Sequence, residues 1–382
     1  MEGGENMIRS YKIRIYPNQE QKVLIDKHIG CCRFIWNYML NLQDEKFKID
    51  KSYLTRFDMT NLITEIKKQD EFVWLNEVST TSLQIICKNL DETYKKFFNK
   101  KSNHPRYKTK KQVIQKYPAR PDRFYFVDNK FCKIEKLGNV KYKTDLVLPI
   151  GMNKKFTNVT IEKSSNDKYF IKFSMNSERQ TRVLNDYSVG IDLGIKDLAV
   201  ISYNGNSKKF GNINKSKKMK DLYKRRSLLQ KDICRKYLQN KYHKTNNIVK
   251  QEKELLRINN KITNIRDNYI HQTTHEIIEL LPKRVVMENL DIMSMMKNKH
   301  LSRQISQAGF YKFKQYMKYK CDNNGIEFVE ANRFYPSSKT CSCCGHIKHK
   351  LSLKERVFTC ENCGCSIDRD INASINLEHY LV

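Results

Sequence analysis

The chain has 382 residues, with 72 Lys plus Arg against 41 Asp plus Glu, and its formal net charge of +31 calls for a polyanionic partner, nucleic acid before an anionic membrane surface. No apolar run approaches the roughly 20 residues of a spanning helix and no signal peptide opens the chain, so a soluble, intracellular protein without a membrane partner is expected. The length exceeds what one hydrophobic core serves, which implies two or three structural units.

In chain order, YKIRIY at residues 11–16 alternates toward a strand that Pro17 ends. From Gln19, apolar Leu24, Cys31, Ile35 and Met39 recur at helical spacing, and further helices are expected across residues 55–100. Residues 95–116 hold nine Lys or Arg and no acid, with Phe97, Phe98 and Tyr107 interleaved, a composition suited to nucleic-acid contact. Between residues 123 and 175 the runs RFYFVDN, LVLPI, NVTIEKS and YFIKFSM predict strands of a small barrel or sheet. Residues 179–186 then read as a link to a second unit.

That unit opens as a three-strand meander over residues 189–192, 198–203 and 208–210, with YNGNS as a hairpin turn. Asp192 falls at the end of the first strand, between Gly190 and Gly194. A helical stretch over about residues 215–280 follows, with fifteen Lys or Arg and two acids between Lys208 and Lys250; Lys224, Arg225 and Arg226 lie in it and are candidate phosphate contacts. The apolar run 285–287 predicts a buried strand that delivers Glu288 at its end. A helix over residues 302–323, a strand over 326–330, a cysteine cluster and a last helix near Asp370 complete the chain.

Cys341-x2-Cys344, then fifteen residues, then Cys360-x2-Cys363 has the spacing of a structural four-thiolate zinc site. Cys343 and Cys365 are spare thiols, since only Cys344 and Cys363 are followed by the glycines (Gly345, Gly364) that let a knuckle turn under a metal. Cys31, Cys32, Cys87, Cys132, Cys234 and Cys321 are scattered and read as buried small hydrophobes. Asp192, Glu288 and Asp370 sit at element edges in the order three strands, helix, strand, helix, strand, helix. That order is ribonuclease-H-like, and acids converging at one sheet end would hold two Mg²⁺ about 4 Å apart for phosphodiester hydrolysis.

The segments GIDLGIKDLAV, MENL, FYPSSKTCSCCG, CENCG and DRDINASIN, together with YKIRIYPNQEQ and IGCCRFIWNYML, resemble the TnpB family of transposon-encoded RNA-guided nucleases. The resemblance covers nearly the whole chain. It implies an α/β multidomain protein: a wedge-like β-barrel (residues 1–18 and 117–185) with a helical recognition insert (19–116), then a RuvC-like nuclease (186–335 and 366–382) with a zinc-ribbon insertion (336–365). It assigns the catalytic, Mg²⁺-binding acids to Asp192, Glu288 and Asp370, the last because Asp370, and not Asp368, precedes Ile-Asn-Ala. It also aligns Tyr53, Gln84 and Lys88 with a region that reads a short DNA motif, and it makes Met7 the expected native start.

The expected activity is RNA-guided, Mg²⁺-dependent cleavage of double-stranded target DNA beside a short motif, by a monomer bound to guide RNA from the transposon end. The expected location is a prokaryotic cytoplasm, at the nucleoid. A guided repressor that does not cut, and a RuvC-like nuclease or transposase that needs no RNA, are the alternatives.

Overall fold

A computed structural model describes residues 6–110, 114–151, 156–178, 182–352 and 355–381. The segment before the expected start at Met7, residues 111–113 of the basic stretch and residues 179–181 of the expected link lie wholly or almost wholly outside the described residues. The chain divides into two units, Met1–Glu178 and Arg179–Val382.

In the first unit, β1 (Asn6–Tyr16) buries Ile13 and Ile15 on one face, as its alternation requires. Asn18 and Gln21 form a reciprocal capping box that starts α1 (Gln19–Asp50), whose buried stripe includes Ile25, Ile29, Cys32, Trp36, Met39 and Gln43. Thr55 and Asp58 cap α2 (Arg56–Ile66) in the same way. A 3-10 segment (Asp70–Glu77) leads to α3 (Thr80–Phe98).

These helices interrupt an antiparallel sheet made by β1 with β2 (Ile114–Pro118), β3 (Tyr125–Phe126), β4 (Phe131–Ile134), β5 (Gly138–Lys143), β6 (Phe156–Ser164) and β7 (Tyr169–Glu178). The order is β2-β6-β7-β1-β5-β4-β3, with β2 and β3 at the ends. Phe124, Phe126, Phe156 and Phe173 pack in its core with ring centroids 5.0 to 5.7 Å apart, most pairs edge to face. LVLPI is not a strand. Val147 is fully exposed, Ile150 makes a single bridge to Phe126 and Leu148 packs partly against the core, so the run does not alternate as a paired strand would.

The second unit begins with β8 (Asn185–Leu193), β9 (Asp197–Tyr203) and β10 (Asn206–Gly211). The long helical stretch is two helices, α4 (Lys217–Gln239) and α5 (Asn246–Ile278), packed through Met219, Ile258 and Ile262. Lys241 and Tyr242 turn the chain between them with positive φ of 47° and 63°. Next come β11 (Pro282–Met287), α6 (Ile292–Met296), α7 (Ser302–Ala308), α8 (Phe310–Asn324) and β12 (Glu327–Glu330). The expected helix over residues 302–323 is thus broken, because Gly309 takes φ 75° against Ile270. The chain closes with β13 (Val357–Thr359), β14 (Ser366–Asp368) and α9 (Arg369–Glu378).

The five-stranded sheet runs β10-β9-β8-β11-β12. β11 is parallel to both β8 and β12, while β9 is antiparallel to β8 and β10. α9 lies flat on this sheet at Gly190. A Cβ there would stand 2.1 Å from the Ser374 carbonyl oxygen and 2.2 Å from the Glu378 nitrogen. Beside this contact the Ser202 and Ser374 hydroxyls are hydrogen-bonded at 2.6 Å, both buried. Of the scattered cysteines, Cys31, Cys32, Cys87, Cys132 and Cys321 are buried as expected, but Cys234 is exposed on the outer face of α4.

Gly190→Ala should therefore lift α9 off β8 and cost about 3 kcal/mol or more of stability, since backbone atoms cannot step aside as side chains do. Urea unfolding of the variant against wild type measures this, with Gly211→Ala, where a Cβ meets nothing within 4 Å, as the comparison.

Candidate active site and zinc centre

The parallel register pairs Met287 on β11 with Ile191 on β8, so Glu288 and Asp192 emerge next to one another at the same end of the sheet. Asp370 joins them from the first turn of α9, which Gly190 holds against β8. All three carboxylates are half-buried. Burial, with the negative charges of Glu288 and Asp370 facing it, pushes the Asp192 carboxyl well above the ordinary carboxylate range, while the Arg369 guanidinium opposes the shift. Burial raises Glu288 as well, again opposed by Arg369. Among the described residues no side chain donates a hydrogen bond or an ion pair to any of the three.

Asp368 is held differently. It caps α9, accepting from the backbone nitrogens of Asp370 at 3.1 Å and Ile371 at 3.2 Å, and it pairs with Lys209 at 2.6 Å. Burial pushes its carboxyl up, but the Lys209 bond and the helix nitrogens outweigh that and hold it below its usual value. Of the two acids in Asp-Arg-Asp, one has its valences filled by the fold and the other is free.

The Sγ atoms of Cys341, Cys344, Cys360 and Cys363 all lie within 4.8 Å of one another. Cys341 to Cys363 is 3.7 Å and Cys344 to Cys360 is 3.6 Å. Thiolates about 2.3 Å from a tetrahedral Zn²⁺ stand about 3.8 Å apart, so the donor set fits zinc. Each knuckle is tied by a backbone bond, Gly345 nitrogen to Cys341 oxygen at 2.9 Å and Gly364 nitrogen to Cys360 oxygen at 3.2 Å. Gly345 and Gly364 take φ 75° and 68° there, as the spacing implied.

The first knuckle is fastened to α9. Asn372 donates to the Thr340 carbonyl at 2.7 Å and accepts from the Ser342 nitrogen at 2.9 Å, and Asn376 donates to the Ser337 and Thr340 carbonyls at 2.7 Å each. Both asparagines are buried, at 0% and 7% exposure. They thus join the residues on either side of Cys341 to the helix that carries Asp370. Sequence reasoning passed over them, although two asparagines four apart on a short helix are poor helix formers whose side chains need backbone partners.

Gln84 and Lys88 lie one turn apart on α3, with Tyr53 near that helix's far end. The Tyr53 ring lies 5.8 Å from Phe98 at the end of α3, about 15 Å along the helix from Lys88, and Lys88 faces Glu92 at 3.8 Å. The basic stretch around α4 is partly neutralised by acids from α5. Arg225 pairs with Glu254 at 2.8 Å, Arg226 lies 5.2 Å from the Tyr223 ring centre, and exposed Lys224 shares a groove with Asp221 and Asp232. Among the described residues no helix is long and apolar enough to cross a membrane.

The second unit thus combines a sheet whose strand ends carry two carboxylates, a third carboxylate on a helix docked beside them, and a four-cysteine ribbon fastened to that helix. Residues 170–299 match a family described as "Probable transposase" (OrfB_IS605), residues 310–377 a "Cas12f1-like, TNB domain", and residues 7–52 a "Helix-turn-helix domain". In this chain residues 7–52 are one strand and one 32-residue helix. The chain is 28% identical to a Streptomyces pristinaespiralis protein named as a candidate RNA-guided DNA endonuclease, over 97% of this chain and 88% of that protein. It is 23% identical to the TnpB-like protein L79 of Acanthamoeba polyphaga mimivirus, over 97% of this chain and 72% of that one. Among solved structures it is similar to one titled "Cryo-EM structure of CRISPR-Cas12f Ternary Complex", with a TM-score of 0.43, 16% identity, and 95% of this chain and 82% of that chain covered. The resemblance to TnpB-like proteins thus extends over nearly the whole chain.

Two outcomes follow from the site's electrostatics and donor set. Because the folded-state pKa of Asp192 is raised, this carboxyl holds more proton in the folded than in the unfolded state above about pH 3.8, so its contribution to stability falls as pH rises from there to its folded-state value. Metal-free Asp192→Asn should accordingly unfold at a higher temperature than wild type at neutral pH, with the difference vanishing below that pH. Cys344→Ser or Cys363→Ser should lose about one zinc equivalent by atomic absorption and loosen the C-terminal region, whereas Cys343→Ser and Cys365→Ser should keep it.

Proposed function

We propose that the chain is an RNA-guided, Mg²⁺-dependent DNA endonuclease encoded by a transposable element, acting on double-stranded target DNA beside a short motif. The observation that carries this reading is the trio Asp192, Glu288 and Asp370, three half-buried carboxylates whose side chains make no hydrogen bond or ion pair among the described residues. Such a set is costly unless cations share it, and oxygen-only donors suit Mg²⁺. When bound, a Mg²⁺ pair supplies a reactive hydroxide from water and neutralises charge on the leaving oxygen of a phosphodiester.

The chain's own residues arrange the rest. Asp192 and Glu288 fix two donor positions through the β8–β11 register, and α9 brings Asp370 as the third. Asp368 holds no metal in this reading. It caps the helix and so aims Asp370. Arg369 adds positive charge beside the acids and moderates their mutual repulsion.

The strand order of the second unit supports a ribonuclease-H-like, RuvC-type nuclease over residues 186–335 and 366–382, with the zinc ribbon at 336–365 inserted. The seven-stranded sheet supports a wedge domain from residues 1–18 and 117–185, with residues 19–116 as its helical insert. The names of the relatives favour guidance by RNA over an RNA-independent nuclease, and the intact acid trio favours cutting over repression. Guide and target phosphates would be met by the chain's excess of lysine and arginine, sequence choice being left to base pairing.

The test is to express the chain with its flanking locus, sequence the RNA that copurifies, and assay plasmid cleavage with that RNA in Mg²⁺. A discrete RNA from the element's end and cleavage that chelation abolishes are expected. Asp192→Ala, Glu288→Gln and Asp370→Asn should each lower cleavage by about 10³-fold or more while leaving RNA and target binding intact, and double variants should be scarcely worse than single ones. Asp368→Asn should retain cleavage. Random RNA would favour the RNA-independent alternative, and loss with Asp368→Asn but not Asp370→Asn would reassign the third ligand.

A further inference from the structure

Cys343 and Cys365 stand outside the four-thiolate cluster, and their Sγ atoms lie 2.7 Å apart. That is too close for two ligands of one metal, which stand about 3.8 Å apart around zinc, as the 3.7 Å and 3.6 Å pairs of the cluster do. It exceeds the roughly 2.05 Å of a disulfide by a gap that small side-chain rotations close. Cys343 is exposed and Cys365 half-exposed, so a small oxidant reaches both. Their backbones are fixed by the two knuckles, Cys365 through its carbonyl, which accepts from the Cys360 nitrogen at 2.9 Å, and Cys343 between two ligand cysteines.

We propose that Cys343 and Cys365 are a redox-active dithiol, which hydroperoxides convert to a disulfide joining the two zinc knuckles. One thiol sulfur takes an oxygen from the hydroperoxide, giving a sulfenic acid and the corresponding alcohol, or water where the oxidant is hydrogen peroxide. The other thiol then attacks that sulfur, the S–S bond forms, and the oxygen leaves as water. The two electrons removed from the thiols reduce the peroxide. A dithiol reductant reverses the reaction.

The bond would span 22 residues of sequence and link the knuckles without using a zinc ligand. The ribbon would then keep its two halves together after zinc is lost, and with them the Thr340 and Ser342 contacts to Asn372 and Asn376 on α9. Zinc and disulfide are two independent staples across one hairpin. The scattered cysteines take no part: Cys31, Cys32, Cys87, Cys132 and Cys321 are buried in helices and strands, and Cys234 is exposed on α4.

The zinc-loaded protein is treated with equimolar hydrogen peroxide, digested without reduction and examined by mass spectrometry. A peptide pair cross-linked through Cys343 and Cys365, two hydrogens lighter than the free thiols and separated by dithiothreitol, is expected with zinc content unchanged. After removal of zinc by a chelator, oxidised wild type should keep a protease-resistant ribbon, while reduced wild type and peroxide-treated Cys343→Ser or Cys365→Ala should be cut there. Both readouts are independent of any cleavage of DNA. Cross-links among the ligand cysteines with loss of zinc, over-oxidation of Cys343 without a cross-link, or a second zinc equivalent that Cys343→Ser abolishes would each overturn the proposal.

Discussion

The second unit depends on one close approach, that of α9 to β8 at Gly190. Only a residue without a side chain admits the Ser374 carbonyl and the Glu378 nitrogen at that spot, and the approach sets where the first turn of α9 ends up. Asp370 is in that turn, two residues beyond the cap at Asp368. The opposite side of the helix is occupied by Asn372 and Asn376, which hold the backbone around Cys341. One short helix therefore joins three things: a sheet end, a free carboxylate and a four-cysteine ribbon.

The ribbon's placement next to Asp-Arg-Asp has a physical reason in this arrangement. A ten-residue helix is marginal alone, and most of its stability must come from what it packs on. The sheet supplies one face through Gly190, Leu377 and the Ser202–Ser374 bond. The knuckle supplies the other by accepting and donating bonds to buried asparagines, which would otherwise be unsatisfied at a cost of about 1 to 3 kcal/mol each. Like charges at Asp192, Glu288 and Asp370 work against this assembly, so the surrounding packing must outweigh their repulsion.

Much of this was legible in the sequence because it lies in short, periodic or spaced signals. The strands bearing Asp192 and Glu288 are apolar runs with an acid at the end, and the cysteine spacing with Gly345 and Gly364 names its own geometry. What was not legible depends on contacts far apart in sequence. The turn between α4 and α5 has no glycine or proline, and Lys241 and Tyr242 take left-handed conformations that composition does not announce. LVLPI reads as a strand by propensity but has no neighbour to pair with beyond one bridge. The asparagine clamp needs Thr340 and Asn372 in contact across 32 residues. Cys343 and Cys365 look spare singly, and become a pair only when both knuckles are formed.

Whether Asp192, Glu288 and Asp370 form a divalent-cation site is tested most directly by counting bound Mn²⁺ by electron paramagnetic resonance. The wild-type chain with its guide and target should bind two Mn²⁺ tightly, coupled as neighbours about 4 Å apart, with the coupled signal lost in Asp370→Asn and kept in Asp368→Asn. A coupled pair that survives replacement of all three acids would contradict it.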